Sequence, residues 1–263
     1  MLQNYLIGFG AILLMMTLLW IYSVRIKNAS IVDTYWGPGF VLQVWVYFLL
    51  TPDGHLPRKL LIAALVTIWG LRLGLHIHQR NHGKPEDFRY QEFRRKYGPE
   101  RYWWVSFFQV FLLQGVLMFV IGAPLLIAQS GPSPIGLVDG FGVLAWIIGF
   151  YFEAVGDAQL KAFRANPANK GKLLNTGLWA YTRHPNYFGD SAQWWGYYLI
   201  ATSAGGWWSI FSPIIMTLFL VKVSGVGLLE KTLAKTKPGY KEYMDTTSAF
   251  IPWPPRRGQR AEN

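Results

Sequence analysis

The sequence predicts an all-α, polytopic membrane protein of about seven transmembrane helices, with its N-terminus outside and its C-terminus in the cytoplasm. Three observations predict it. Of 263 residues, 52% are hydrophobic and only 15% charged, too apolar for a soluble domain. Seven apolar stretches approach the length needed to cross a hydrocarbon core about 30 Å thick, which takes roughly 20 helical residues. The cations keep to alternate connections, since 21 of the 25 Lys and Arg fall in segments 25–35, 79–104, 159–186 and 230–263. Cytoplasmic loops carry such an excess, which orients the chain and requires an odd number of crossings.

The stretches lie near residues 5–24, 36–51, 60–78, 105–129, 138–158, 187–204 and 207–229. The first has no basic residue before it and no small-residue cleavage site after it, so it reads as a spanning helix and not a cleaved leader. The second is short and contains Pro38 and Gly39, which predicts a tilted, broken or partly re-entrant helix. Residues 79–104 read as a mixed-charge cytoplasmic loop with an aromatic end at the interface. Beyond the seventh stretch, EKTLAKTK leads through Pro238 and Gly239 to GYKEYM and FIPWPP. This amphipathic tail is expected to lie on the inner membrane surface or to close over a cytoplasmic pocket. One integral-membrane domain, 1–263, is the simplest division.

Composition and motifs also exclude. With no Cys, disulfides, thiolate metal sites and cysteine nucleophiles are ruled out. The formal net charge of +11 is a topology signal with lipid headgroups as its partners, and no nucleic-acid motif accompanies it. No GxGxxG or GxSxG pattern occurs, so neither a Rossmann fold nor a nucleophile elbow is expected. No HExxH occurs either, and His76 and His78 would point about 200° apart on a helix, so no metal site is expected.

The stretch with the most chemistry is GKLLNTGLWAYTRHPNYFGDSAQWWGYYL, residues 171–199. Pro185 cannot continue a helix begun before it and Asn186 is a good N-cap, so a new helix is expected to start there. Its free N–H groups would sit beside Lys170, Lys172, Arg183 and His184, forming an anion site. Tyr181 and Tyr187 complete the mouth. His184 would equally suit a headgroup contact. Asn186, Asp190, Gln193 and Tyr197 share one stripe of that helix, and two readings fit. The stripe is a polar wall for a long cofactor, or it is a helix-packing network that Gly189 and Gly196 permit. Glu153, Asp157, Lys161 and Arg164 likewise share a face of the fifth helix. Lys222 lies inside the seventh, where snorkelling is the simple explanation.

GLWAYTRHPNYFGDSAQWWGY resembles the C-terminal signature of the steroid 5-alpha-reductase-like membrane enzymes. SIVDTYWGPGF, WGLRL and EDFRY agree with their bacterial branch of unknown function, the DUF1295 domain, and the resemblance covers most of the chain. It implies a bacterial inner (cytoplasmic) membrane protein whose residues 138–255 are the cofactor-binding half. Carried over residue by residue, Asp157, Arg164 and Asn186 would bind NADPH, with NADH as the alternative. Lys222 and Glu230 would serve the same cofactor, and Tyr240 matches an aromatic tail of the superfamily. The implied reaction is reduction of a lipophilic enone or activated alkene by hydride transfer to the β carbon.

The chain departs from that pattern at Trp69, which stands where those reductases place a proton-donating tyrosine. Their Gln-Glu pair is also missing, its nearest equivalents being Asp33, Thr34 and Tyr35. The proton donor or carbonyl-polarising group is therefore sought among Asp33, Tyr35 and His76, and a steroid is not the expected substrate. For Asp33, capping the second helix is the structural alternative. TRHPNYFG also resembles the membrane methyltransferases acting on isoprenylcysteine or phospholipid. The rival reading is thus an AdoMet-dependent methyltransferase of a lipid or prenylated substrate, and a third is a non-catalytic scaffold.

Overall fold

The structure is a computed structural model that describes residues 1–223 and 226–255, with the side chains of residues 223, 228, 229, 231 and 232 outside the description. Residues 224 and 225 of the seventh expected helix, and 256–263 of the tail, therefore also lie outside it. The described residues are all-α, with no strand beyond one isolated bridge between Thr182 and Ser248. The helices are α1 (Leu2–Ile26), a short α2 (Ile31–Thr34), α3 (Trp36–Leu50), α4 (Leu56–Asn81), α5 (Phe88–Tyr97) and α6 (Pro99–Ser106). They continue with α7 (Leu113–Ile121), α8 (Ala123–Ser130), α9 (Leu137–Ala165), α10 (Pro185–Ser203), α11 (Phe211–Leu218), α12 (Val226–Thr236) and α13 (Tyr240–Thr246).

Each of the seven expected stretches is helical where described. Four helices, Leu2–Ile26, Leu56–Asn81, Pro99–Ser130 and Leu137–Ala165, are long and apolar enough to cross a membrane, and Trp36–Leu50 and Trp207–Lys222 are shorter apolar helices. The protein is thus a polytopic membrane protein. Helix Pro99–Ser130 joins α6, α7 and α8 through a π-turn at Phe107–Leu112 and a restart at Gly122, just before Pro124. It starts earlier than expected, and the loop before it contains α5, so the mixed-charge segment 79–104 is largely helical. The break expected in the second stretch is absent. Pro38 falls in the first turn of α3, where its missing N–H would have no intrahelical partner, so α3 runs unbroken to Leu50.

The chain divides into two compact units, one of Met1–Asp139 with Ile200–Ser212 and one of Gly140–Leu199 with Pro213–Asn263. In the first, WGPGF and WGLRL meet. A Cβ on Gly70 would lie 2.6 Å from the Gly37 carbonyl oxygen, and one on Gly74 would lie 2.8 Å from Pro38 Cγ, so α3 and α4 touch backbone to backbone. Trp69 is fully buried beside this contact, 5.8 Å from the Phe40 ring. The two cations in the first turn of α4, Arg58 and Lys59, are both buried. Lys59 donates to Thr51 O at 2.6 Å, and Arg58 pairs with Asp139 at 2.7 Å. The same guanidinium donates to Ser133 O and Pro134 O, both at 2.7 Å, and to Ser203 Oγ at 3.1 Å.

The second unit is built on α9 and α10. Gly142, Gly149 and Gly156 recur every seven residues on α9, a spacing of almost two turns that keeps them on one face. They meet Gly196, Gly189 and Pro185 in the opposite order, so the helices run antiparallel. A Cβ on Gly149 would lie 2.5 Å from Gly189 O, and one on Gly196 would lie 2.6 Å from Gly142 O. A Cβ on Gly189 would meet Glu153 N and Gly149 O well inside contact distance. These neighbours are backbone and cannot turn aside, so Gly189→Ala must push the helices apart, at a cost of about 1–3 kcal/mol for overpacking. The expected result is a lower melting temperature in detergent, and Gly140→Ala, on the same helix and meeting nothing within 4 Å, should not lower it.

Candidate functional site

The polar stripe of α10 faces α9. Asn186 Nδ2 donates to Asp157 Oδ1 at 3.1 Å, Gln193 Nε2 to Glu153 Oε2 at 2.6 Å, and Trp146 Nε1 to the Tyr197 hydroxyl at 2.9 Å. Asp157, Glu153 and Gln193 are buried, as is Asp190 between the first two rungs of α10. Three of the four stripe residues therefore hold the two helices together, which is the packing reading offered by Gly189 and Gly196. Asn186 does not cap α10. The helix begins one residue earlier, with Pro185 in the first position, where a proline's fixed φ is already helical. Asn186 thus lies in the first turn, and its Oδ1 accepts from Tyr187 N at 3.1 Å while its amide reaches Asp157.

Before that proline, TRH is bound by the C-terminal tail. Thr182 Oγ1 donates to Phe250 O at 2.9 Å, Arg183 N to Ser248 O at 2.9 Å, and Trp253 N to Tyr181 O at 2.9 Å. Arg183, 6% exposed, is the centre of the clasp. Its Nε donates to Glu230 Oε1 at 2.7 Å, and its Nη1 donates to Met244 O at 2.9 Å and to Thr247 O. His184 Nε2 lies 3.3 Å from the same Glu230 oxygen, and its ring stacks on Tyr187 with centroids 5.5 Å apart. Tyr240 is buried, and that burial, with Glu230 nearby, pushes its phenol up to about 12. Tyr243 donates to Trp179 O.

The tail thus covers the basic motif. Glu230, which the resemblance assigned to the cofactor, is the counter-ion of Arg183 and a hydrogen-bond partner of His184. Burial alone would raise its carboxyl, but the hydrogen bonds from His184 and Arg183 outweigh that and hold it below its ordinary value. A depressed folded-state pKa means the clasp contributes its full stability above the unfolded value near 4.3 and loses it as pH falls further. Amide exchange at Arg183 and Trp253 is therefore expected to accelerate below about pH 4 and to be flat from pH 6 to 8, apart from the intrinsic rate.

Around this clasp the remaining expected residues are more open. Arg164 is exposed in the last turn of α9, and Tyr181 is exposed beside the tail. Lys222 is exposed in a π-turn, Phe219–Val223, a distortion that often marks functional sites. A cavity of about 480 Å³ is lined by Arg183 and by tail residues from Met244 to Pro254.

In the first unit Asp33 does not cap α3, whose N-cap position is Tyr35. Its carboxylate accepts from Arg89 Nη2 at 2.9 Å and from the Tyr90 hydroxyl at 2.6 Å. Burial raises the Asp33 pKa even though Arg89 and Tyr90 oppose it. Glu86 completes this clasp, accepting from Ala29 N at 2.7 Å and from Arg94 Nη2 at 2.9 Å. SIVD and EDFRY are therefore one structure, and Glu86, Arg89, Tyr90 and Arg94 are members that sequence reasoning missed. The available signal was that Asp33 and Arg89 lie in segments expected on the same side of the membrane. Tyr35 is exposed and His76 is half-buried in α4. Among the described residues no cluster of three or more His, Asp or Glu is arranged to hold a metal ion.

Comparison with known proteins places relatives in eukaryotes. An uncharacterised protein of Schizosaccharomyces pombe is 26% identical over 277 residues, covering 94% of this chain and 79% of its own. A Delta(14)-sterol reductase of Ascobolus immersus is 30% identical over 141 residues, 47% of this chain but only 31% of that enzyme. A probable O-methyltransferase of Ustilaginoidea virens is 43% identical over 51 residues, 19% of this chain and 17% of that protein. These relatives lend no support to a bacterial inner membrane. No solved structure matches the chain. The family described as "Protein of unknown function (DUF1295)" matches residues 19–247.

Proposed function

The chain belongs to the DUF1295 family, and from that premise we propose that it is a membrane-embedded reductase of a lipophilic enone or activated alkene that uses NADPH, with NADH as the alternative. The likeness to a sterol reductase supports the reaction class. The observation that carries the reading is that Arg183, two residues before the start of α10, lines a cavity of about 480 Å³. Anions bind at such helix starts, and a guanidinium suits phosphate. Glu230 brings a carboxylate to this place, but Arg183 neutralises it. These residues fit a dinucleotide phosphate.

The remaining roles follow from what each side chain does. Glu230 and the carbonyls of Met244 and Thr247 hold the Arg183 guanidinium in place, and Asp157 holds the Asn186 amide. Lys222 and Arg164 are proposed as outer phosphate contacts on the strength of their exposure and charge. The bound cofactor supplies a hydride for the β carbon of the substrate. Asp33, Tyr35 and His76 are the proposed sources of the accompanying proton. The raised pKa of Asp33 favours its acid form, and Tyr90 gives it a proton-bearing neighbour.

The second reading, an AdoMet-dependent methyltransferase of a lipid or prenylated substrate, draws on the short match to an O-methyltransferase. Titrating the detergent-purified protein with NADPH, NADH and AdoMet while following its melting temperature separates the two, because a ligand of the native state must raise it. A rise with either nicotinamide cofactor and none with AdoMet is expected. A rise with AdoMet alone would replace the reductase by the methyltransferase.

A further inference from the structure

We propose that the C-terminal segment is a membrane-surface anchor, in which Ile251 and Trp253 enter the headgroup layer of the bilayer the protein spans and the basic residues beside them pair with anionic phospholipid. This goes beyond the reductase reading and does not depend on it. The starting observation is that one edge of the segment is bound to the protein and the other is open. Thr182 Oγ1 donates to Phe250 O and Trp253 N to Tyr181 O, both at 2.9 Å, and the Phe250 ring meets Phe188 of α10 edge-on, with centroids 6.1 Å apart. The alternate side chains stay outside: Ile251 is 65% exposed and Trp253, which also edges the cavity, is 66% exposed, beside Tyr181 at 47%.

Large apolar side chains held open on a fixed backbone mark a contact surface, and they lose little further freedom when it is covered. Charge selects lipid as the occupant. In sequence the pair is followed at once by Arg256, Arg257 and Arg260, with Glu262 the one acid after them. The exposed Lys172 adjoins Leu173, which shares a cavity wall with Pro255. Trp and Tyr concentrate at the membrane–water interface, and basic runs are drawn to an anionic leaflet. Inserted apolar area and attraction to anionic lipid together set the strength of such surface binding. A bilayer surface is also at hand, because Tyr181 stands four residues before the start of α10. Covering the basic motif and lying on the membrane are then two edges of one segment.

The test uses the full-length protein with Ile251→Cys, the sole thiol in a chain without Cys, labelled with the polarity-sensitive dye NBD. Ile251 is exposed, so the replacement should leave the fold intact. Single copies are placed in nanodiscs of phosphatidylcholine, or of phosphatidylcholine mixed with phosphatidylglycerol. The expected result is emission shifted to shorter wavelength than in water, strong quenching by lipids carrying a doxyl group near the headgroup, and weak quenching by aqueous iodide. Phosphatidylglycerol should strengthen this pattern. Replacing Arg256, Arg257 and Arg260 by Gln should lower the ratio of inserted to open segment by about fivefold for each. Iodide quenching equal to that of the free dye in both lipids would overturn the anchor. A label shielded from iodide and doxyl lipid alike would also overturn it, because protein and not lipid would then cover this face. Equal doxyl quenching in the two lipids, unaltered by the Gln replacements, would overturn the choice of anionic lipid.

Discussion

Arg183→Ala is expected to lower stability by about 3–5 kcal/mol, the usual consequence of removing one member of a buried ion pair. The reason lies in what the guanidinium holds. Glu230, itself mostly buried, would keep only His184, and the carbonyls of Met244 and Thr247 would lose their donor. The effect should be concentrated in the tail, since Arg183 joins the TRH segment to α12 and to the end of α13. Hydrogen exchange over residues 244–253 should therefore accelerate far more than exchange in α9. Arg183→Lys keeps the charge but not the two-sided fork, and should fall between alanine and wild type. Uniform loosening of both regions would mean that the clasp is not a local device. Weaker binding of NADPH should accompany the stability loss.

A loss of similar size, about 3–5 kcal/mol, is expected for Arg58→Ala. Asp139 would stay buried with only Ser203 and the Gly136 N–H to stabilise its charge, and Ser133 O and Pro134 O would be left without their donor. The matched replacement Arg58→Met with Asp139→Leu removes both charges and should recover most of the loss, because the desolvation cost disappears together with the attraction. Melting temperatures of the single and double variants check this. A double variant as unstable as Arg58→Ala would show that the carbonyl bonds, and not the charge pair, dominate.

Hydropathy and charge placement made the helices legible, because both act over whole segments and survive errors at single residues. Proline was harder. Local sequence lets Pro38 tilt, break or turn back its helix and lets Pro185 precede an Asn186 cap, yet both occupy the first turn of a helix, where a missing N–H costs nothing. A one-residue shift in the start decides between those readings, and local sequence does not contain it. Asn186, Gln193 and Tyr197 were visible as a stripe, but the identity of what they face came only from Asp157, Glu153 and Trp146.

The candidate site shows the same limit. Arg183 and His184 were legible as basic groups at a helix start, whereas their shared carboxylate lies 46 or 47 residues away on α12. The joining of SIVD to EDFRY spans 57 residues between Asp33 and Tyr90 and was equally hidden. Family resemblance marked both segments without saying that they touch. The partners of charged residues are long-range facts, set by how helices pack, and single-sequence periodicity carries no term for them.

A density map of the detergent-solubilised protein soaked in NADPH tests most directly whether a dinucleotide docks where α10 begins. The expected result is phosphate density beside Arg183 and the first turn of α10, with the tail from Met244 to Trp253 lining the bound molecule. A fully ordered NADPH elsewhere in the protein, with the Arg183 clasp unchanged and nothing in its cavity, would contradict it.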